Sequence, residues 1–336
     1  MVDTKAGHGV GGVTVLREIL ILGLAMAVQT LPAQVSAVES SEQPFKLIAT
    51  AELVLLDVSV KNAAGERISN LSKDNFKVYE DGKLQQITQF ASDDVPVTVG
   101  LVIDTSGSMR PKYKDVITAA LLFIKASNPK DEVFVVNFGD SVSTGLPDGV
   151  AFTSDILQLR TALSWGVPAG RTALYDAILF SLHHLEKGKC EKKTLMLVSD
   201  GGDNSSTHGP EEVMSMVRES RATIYTIGMF DESDPDRNPA LLRRLAQVSG
   251  GEAFFPGQLS EVTGICGQIA SDIRTRYTIG YVPARSGQQG SFRKIKVTAS
   301  TAGGHNLVVH TRAGYVLPPK LPLIGQDGEP GRRGGL

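Results

Sequence analysis

An α/β fold is predicted, a doubly wound, mostly parallel sheet with helices on both faces, inserted in a β-sandwich made from the N- and C-terminal flanks. Three observations predict it. Apolar runs at 97–103, 133–138, 194–198 and 224–227 are short and continuous, as strands buried on both faces are. Between them, apolar residues recur at helical spacing, which implies crossover helices and therefore a parallel sheet. On either side of residues 95–275 the pattern changes to alternation of apolar and polar residues.

The chain has 336 residues, 41% hydrophobic and 21% charged, which is enough for two domains. A net charge of −2 and a pI near 6.3 offer no basic stripe, so no nucleic-acid partner is expected. Residues 1–37 read as a secretory signal peptide. Arg17 precedes an apolar stretch over 19–28, and Val35, Ser36 and Ala37 form a small-residue cleavage site. That stretch is shorter than the roughly 20 residues a span needs. No stable membrane span is expected after cleavage, and the product is expected to be exported, either periplasmic or extracellular.

Residues 45–94 read as the N-terminal part of the sandwich. Its first clear strand is 53–60, and 62–65 make a turn. Strands at 76–80 and 85–90 flank Asp81-Gly82, a pair suited to the positive φ of a tight hairpin. Residues 276–317 supply the C-terminal part, with strands at 276–282, 292–299 and 307–311. Three or four strands alone bury little, which is why the two ends are expected to fold together. Residues 318–336, rich in Pro, Gly and charge, read as a disordered tail.

Within 95–275, the strand ending at 104 is followed by a helical face of Val116, Ala119, Ala120, Phe123 and Ile124. The strand 133–138 comes next, then a short edge strand within 141–150. Ser154 can cap a helix carrying Ile156, Leu159 and Leu163. Leu174, Ala177, Ile178, Ser181 and Leu182 mark another helix, and Pro210 opens the next. A strand at 224–227, a helix at 239–248, a short strand at 253–255 and a helix at 259–274 complete the series. Cys266 lies on the apolar stripe of the last helix and reads as a core thiol. Its pairing with Cys190 stays open, because sequence does not place the two together. No C-x-x-C and no Cys/His cluster points to zinc.

The first central strand ends on Asp104-Thr105-Ser106-Gly107-Ser108. Ligands of open α/β sheets bind outside the carboxyl ends of the strands. Alternation along the strand, followed by a tight turn, lets Asp104, Ser106 and Ser108 face one point. All three offer oxygen, the donor that Mg²⁺ takes at about 2.0–2.1 Å.

This D-x-S-x-S resembles the metal-ion-dependent adhesion site of von Willebrand factor type A domains. Gly170-Arg171-Thr172-Ala173-Leu174 resembles that family's threonine loop, and Val198-Ser199-Asp200-Gly201-Gly202 resembles the end of its fourth strand. The resemblance covers 95–275. It implies that Ser106 and Ser108 hold Mg²⁺ (or Mn²⁺ or Ca²⁺) directly, and Thr172 directly or through water. Asp104 and Asp200 would supply charge, with one position open to an acidic side chain of a protein partner. Two carboxylates against a divalent ion leave a nearly neutral site that a further anion can join. The flanks resemble bacterial VWFA-related exported proteins, on Glu80-Asp81-Gly82-Lys83 and Gly280-Tyr281.

Plainer readings exist. Asp104 could be a helix N-cap. Asp203 and Asn204 could support the metal ligands from behind or serve as turn residues, and Asp140 could do the former or be solvated. His183 and His184 lie mid-helix, without H-E-x-x-H spacing, and His184 reads as a surface or rim residue. No serine lies in a G-x-S-x-G elbow, and position 106 is Ser where an aspartyl phosphatase needs Asp. The expectation is therefore a metal-dependent, adhesion-type protein-binding module and not an enzyme. A structural component of a cell-envelope assembly with a stabilising metal, and a metal-assisted hydrolase, are the alternatives.

Overall fold

A computed structural model of the chain describes residues 53–230, 235–283, 290–301 and 303–317. The expected signal peptide, residues 45–52 and the tail from 318 lie outside the described residues. The first flank contains β1 (Val54–Lys61), β2 (Phe76–Glu80), β3 (Lys83–Gln85) and β4 (Ile87–Ala91). Asp81, at φ 48, and Gly82, at φ 80, make the tight turn between β2 and β3.

The middle of the chain alternates strands and helices. β5 (Val97–Asp104), α1 (Tyr113–Ala126), β6 (Glu132–Phe138), β7 (Val142–Thr144) and α2 (Ile156–Ser164) come first. α3 (Leu174–Leu185), β8 (Lys192–Ser199), α4 (Pro210–Glu219), β9 (Thr223–Gly228), α5 (Pro239–Ser249), β10 (Ala253–Phe254) and α6 (Ser260–Thr275) follow. The second flank is β11 (Tyr277–Tyr281), β12 (Phe292–Ala299), β13 (Val308–His310) and β14 (Gly314–Val316).

The central sheet has the order β10-β9-β8-β5-β6-β7, parallel except for the edge strand β7. All eight residues of β5 are buried, which requires cover on both faces. That cover comes from helices that pack in two groups, α1 with α2 and α6, and α3 through α5. The strand also has neighbours on both edges. A Cβ added at Gly100 would meet Phe134 Cζ at 2.4 Å and Leu195 Cδ2 at 2.5 Å, so glycine lets those side chains close over the strand.

The flanking strands form two further antiparallel sheets, β13-β1-β11-β4 and β14-β12-β2-β3. Leu56, Val58, Val78, Tyr277, Ile279, Ile295 and Val297 from the two sheets share one apolar core. Glu80 is buried beside it, where its Oε2 accepts Tyr281 Oη at 2.7 Å and Tyr315 Oη at 3.0 Å. The expected single strand over 85–90 is divided. Gln85 pairs with Val78 in one sheet, whereas Ile87 pairs with Tyr281 in the other. The chain changes sheets at Gln86, and an alternating pattern runs through such a crossing unaltered. The helix N-cap expected at Ser154 is Asp155, whose Oδ1 accepts Leu157 N at 2.8 Å. A carboxylate one residue closer to the helix takes the role.

The central sheet and the flanking sheets are joined through a buried polar cluster. Asp272 on α6 accepts hydrogen bonds from Ser59 on β1 and from the hydroxyl of Tyr225 on β9. Arg276, 3% exposed, donates Nη1 to Tyr225 Oη at 2.7 Å and Nη2 to the Gly250 carbonyl at 2.6 Å. Burial raises the Asp272 pKa, but the Arg276 charge and the Ser59 and Tyr225 bonds outweigh it, and the carboxyl stays below its usual range. Breaking a buried pair by removing one partner leaves an uncompensated charge. Arg276→Met is therefore expected to lower stability by about 3–5 kcal/mol, read from the midpoint of urea unfolding. Arg276→Lys is expected to recover only part, because an ammonium cannot reproduce the fork of bonds.

Candidate metal centre

Asp104 ends β5 with no exposed surface. Its Oδ1 accepts Ser106 N at 2.8 Å and its Oδ2 accepts Ser199 Oγ at 2.7 Å. The backbone then makes a short 3-10 turn over Gly107–Met109, and α1 starts only at Tyr113, with Lys112 at its N-cap. Asp104 is therefore not the cap of that helix. Ser106 Oγ and Ser108 Oγ stand 3.1 Å apart, and Ser108 Oγ donates to Asp200 Oδ2 at 2.6 Å. Hydroxyls and carboxylates from the ends of the neighbouring strands β5 and β8 thus converge.

Thr172 is buried, and its loop is stitched to the surrounding elements by backbone bonds in three directions. Ala169 N donates to Thr105 O at 2.9 Å and Gly107 N to Gly170 O at 3.1 Å, which ties the loop to the end of β5. Ala173 N donates to Gly139 O at 2.8 Å, which ties it to the end of β6. Thr172 N donates to Asn204 Oδ1 at 2.9 Å, and Thr172 O accepts Asn204 N and Ser205 N at 3.0 Å, which ties it to the loop after β8. Gly170 has φ 76, and a Cβ there would fall 2.1 Å from Asp140 Oδ2. Glycine is needed for both the turn and the close approach.

The supporting residues divide as follows. Asn204 holds Thr172 and donates Nδ2 to Asp236 Oδ2 at 2.9 Å. Asp203 Oδ1 accepts Tyr175 N at 3.2 Å at the start of α3 and also Ser206 Oγ. Asp140 Oδ1 accepts Arg171 N at 2.7 Å, and its carbonyl accepts Ser205 Oγ at 3.2 Å. Two participants escape sequence reasoning. Ser199 bonds Asp104 directly, and Asp176 accepts Thr207 N at 3.0 Å and His208 N at 3.1 Å, fastening the loop after β8 to α3. Ser199 could have been found from its place at a strand's carboxyl end, the same signal that marks Asp104.

His184 is not at the rim. It is buried, its ring lies 4.4 Å from that of Phe134, and its Nε2 is 2.9 Å from the Ala151 carbonyl. Its helical position faces β6, where an apolar body with one polar partner fits a core. Cys190 and Cys266 are free thiols, and burial pushes the Cys266 thiol up to about 12.

Electrostatics set the chemistry of the cluster. Burial pushes the Asp104 carboxyl from 3.8 up to about 6; the Ser106 and Ser199 bonds oppose this, and the charge of Asp200 adds to it. Among the described residues, the hydrogen-bond partners of both carboxylates are hydroxyls and amides. The nearby buried Lys112 spends its Nζ on the Met229 carbonyl at 2.7 Å. Two acidic side chains and a set of hydroxyl oxygens, without an ammonium or guanidinium bound to them, are the donor set of a hard divalent cation. Among the described residues, no group of three or more His, Cys, Asp or Glu forms a different metal cluster.

Because the folded pKa of Asp104 lies above its ordinary value, the folded state holds the extra proton between pH 3.8 and about 6. Stability from this group therefore falls as pH rises through that window. In chelated protein, Asp104→Asn is expected to show a flatter stability–pH profile there than wild type, and higher stability above it. Urea unfolding at a series of pH values measures this.

Residues 99–202 match the family model for the von Willebrand factor type A domain. The uncharacterized protein YfbK of Escherichia coli (strain K12) is 25% identical over 175 residues, covering 51% of this chain and 30% of YfbK. The inter-alpha-trypsin inhibitor heavy chain H3 of Pongo abelii is 28% identical over 188 residues, covering 50% of this chain and 21% of that protein. The chain spans less than a third of the length of these curated relatives. A solved von Willebrand factor type A structure from Catenulispora acidiphila aligns with a TM-score of 0.48 at 13% identity, covering 80% of this chain and 74% of that one. The family match runs from within β5 to just past Asp200 and includes every residue of the oxygen cluster, and the chain contains a von Willebrand factor type A domain.

Proposed function

We propose that this chain is an exported, metal-dependent protein-binding module. Mg²⁺, with Mn²⁺ or Ca²⁺ as substitutes, is held by Asp104, Ser106, Ser108, Thr172 and Asp200, and an acidic side chain of a protein partner completes its coordination. One observation carries the reading. Ser108 Oγ bonds Asp200 Oδ2 at 2.6 Å and lies 3.1 Å from Ser106 Oγ, so oxygens from two strand ends already share one point. The family match supports it, since von Willebrand factor type A domains mediate protein–protein interaction.

The division of labour follows from the chemistry. The two carboxylates offset most of the ion's charge, and the neutral hydroxyls add none. The site then stays receptive to one more anion. The buried partners of Asp104 fix its carboxylate, so ion binding needs little rearrangement on that side. In this proposal residues 45–94 and 276–317 are the two parts of a carrier sandwich, and 95–275 is the inserted binding domain. No helix among the described residues is long and apolar enough to cross a membrane.

Isothermal titration with Mg²⁺ is expected to give one saturable site on wild type and none on Asp104→Ala or Thr172→Ala. A wild-type chain that binds none of the three divalent ions overturns the proposal. A partner bound in Mg²⁺ is expected to be released by chelator, and its affinity for Asp200→Ala to be at least tenfold weaker. Gly170→Ala is expected to weaken Mg²⁺ binding while leaving the circular dichroism unchanged, since it displaces the threonine loop alone.

A further inference from the structure

The outer face of the β14-β12-β2-β3 sheet carries a side-chain set that neither the core nor the metal centre uses. Along β12, Ile295, Val297 and Ala299 point into the core, and Phe292, Lys294 and Lys296 point away from it. Along β2, Phe76, Val78 and Glu80 are buried, which turns Lys77 and Tyr79 outward. The register joins them into one surface. Lys296 lies opposite Tyr79, Thr298 opposite Lys77, and Leu84 of β3 opposite Tyr79. Directly paired residues share a face, so Lys77, Lys294 and Lys296 stand among Tyr79, Leu84 and Phe292.

Two features separate this face from an ordinary solvated one. Its lysines form no salt bridge among the described residues, and only Lys294 feels the charge of Asp81 from a distance. Glu80 is turned inward to two tyrosine hydroxyls, and Asp81 at the bordering hairpin tip is committed to Arg293 at 2.7 Å and to Lys294 N at 3.0 Å. Large apolar side chains are also left in water, with Leu84 62% and Phe292 37% exposed. The chain as a whole has a net charge of −2, so a cationic face is a local arrangement.

We propose that this sheet face docks on an anionic lipid bilayer. Alternate side chains of a strand lie on one side of the sheet, so a single surface can engage all six. Lysine ammonium groups sit among anionic headgroups while their methylene stems lie along apolar surface. Phenylalanine, tyrosine and leucine enter the boundary below the headgroups. A soluble polyanion satisfies the lysines but leaves Leu84 and Phe292 in water, and a neutral apolar partner leaves the charges unmatched. None of these six residues belongs to the candidate metal centre.

The test is co-sedimentation of the full chain, in chelator, with phosphatidylcholine vesicles with or without a minor fraction of phosphatidylglycerol. Binding is expected only when the anionic lipid is present, and is expected to be reversed by salt. The triple variant Lys77→Glu, Lys294→Glu, Lys296→Glu is expected to lose at least about a hundredfold in partitioning, since removing each lysine costs about fivefold near an anionic surface and each glutamate adds repulsion. Leu84→Asn with Phe292→Ser is expected to lose roughly tenfold while keeping the salt dependence. All variants change exposed positions, and circular dichroism checks that they fold. Wild type and triple variant binding alike would overturn the proposal by placing lipid affinity elsewhere, for example in the apolar stretch at 19–28. Wild type that ignores anionic vesicles but binds dextran sulfate, with the apolar double variant unaffected, would overturn it in favour of a soluble polyanion.

Discussion

A carboxylate without exposed surface at the end of the central strand is the constraint to which the upper half of the α/β layer answers. The β5–β6 pairing places Asp104, and Ser106 N and Ser199 Oγ hold its two oxygens. The first bond closes the turn after β5, and the second ties that turn to the end of β8, whose alignment the strand ladder sets. The threonine loop is then pinned against that turn through Gly107 and Gly170. A like charge nearby on Asp200, with hydroxyls between, gives the region an electrostatic debt that a divalent cation can cancel.

Much of this arrangement was legible in the sequence, for identifiable reasons. A buried parallel strand announces itself as an unbroken apolar run, and the first polar residues after it mark the ligand crevice. Asp104, Ser106 and Ser108 were therefore readable from position and spacing alone. Thr172 and Asp200 were not. Asp200 bonds Ser108 across 92 residues, and backbone bonds at Ala169 and Gly170 tie the loop carrying Thr172 to Thr105 and Gly107; the sheet order β8-β5-β6 brings these segments together, and the resemblance to a family supplied both residues. Asp176 acts through bonds to Thr207 and His208, partners distant in sequence, which no local pattern records, whereas Ser199 carries only the weak signal of its place at a strand's end.

The flanks teach a related lesson. Alternation correctly marks which residues of β2 and β12 face a core, because that depends on one strand at a time. It is silent about which sheet a strand joins. The passage from β3 to β4 keeps its polar–apolar rhythm while the partner strand changes from β2 to β11. His184 shows the same gap for helices. Its side of α3 turns toward Phe134, and a sequence cannot show whether a histidine at helical spacing meets solvent or a ring.

The pairing of β4 with β11 has a consequence for how the chain is assembled. Ala91 lies opposite Thr278, so the strands that enter and leave the α/β layer are adjacent and antiparallel. Taken alone, they are the two arms of a hairpin, and the layer occupies the position of its turn. The pairing fixes where the chain departs and returns, and the Asp272, Arg276 and Tyr225 cluster fastens the layer to the flanking strands at that point. A tight two-residue loop could close the same sheet, and a large folded unit can be accommodated there because its ends meet where a turn would begin and finish.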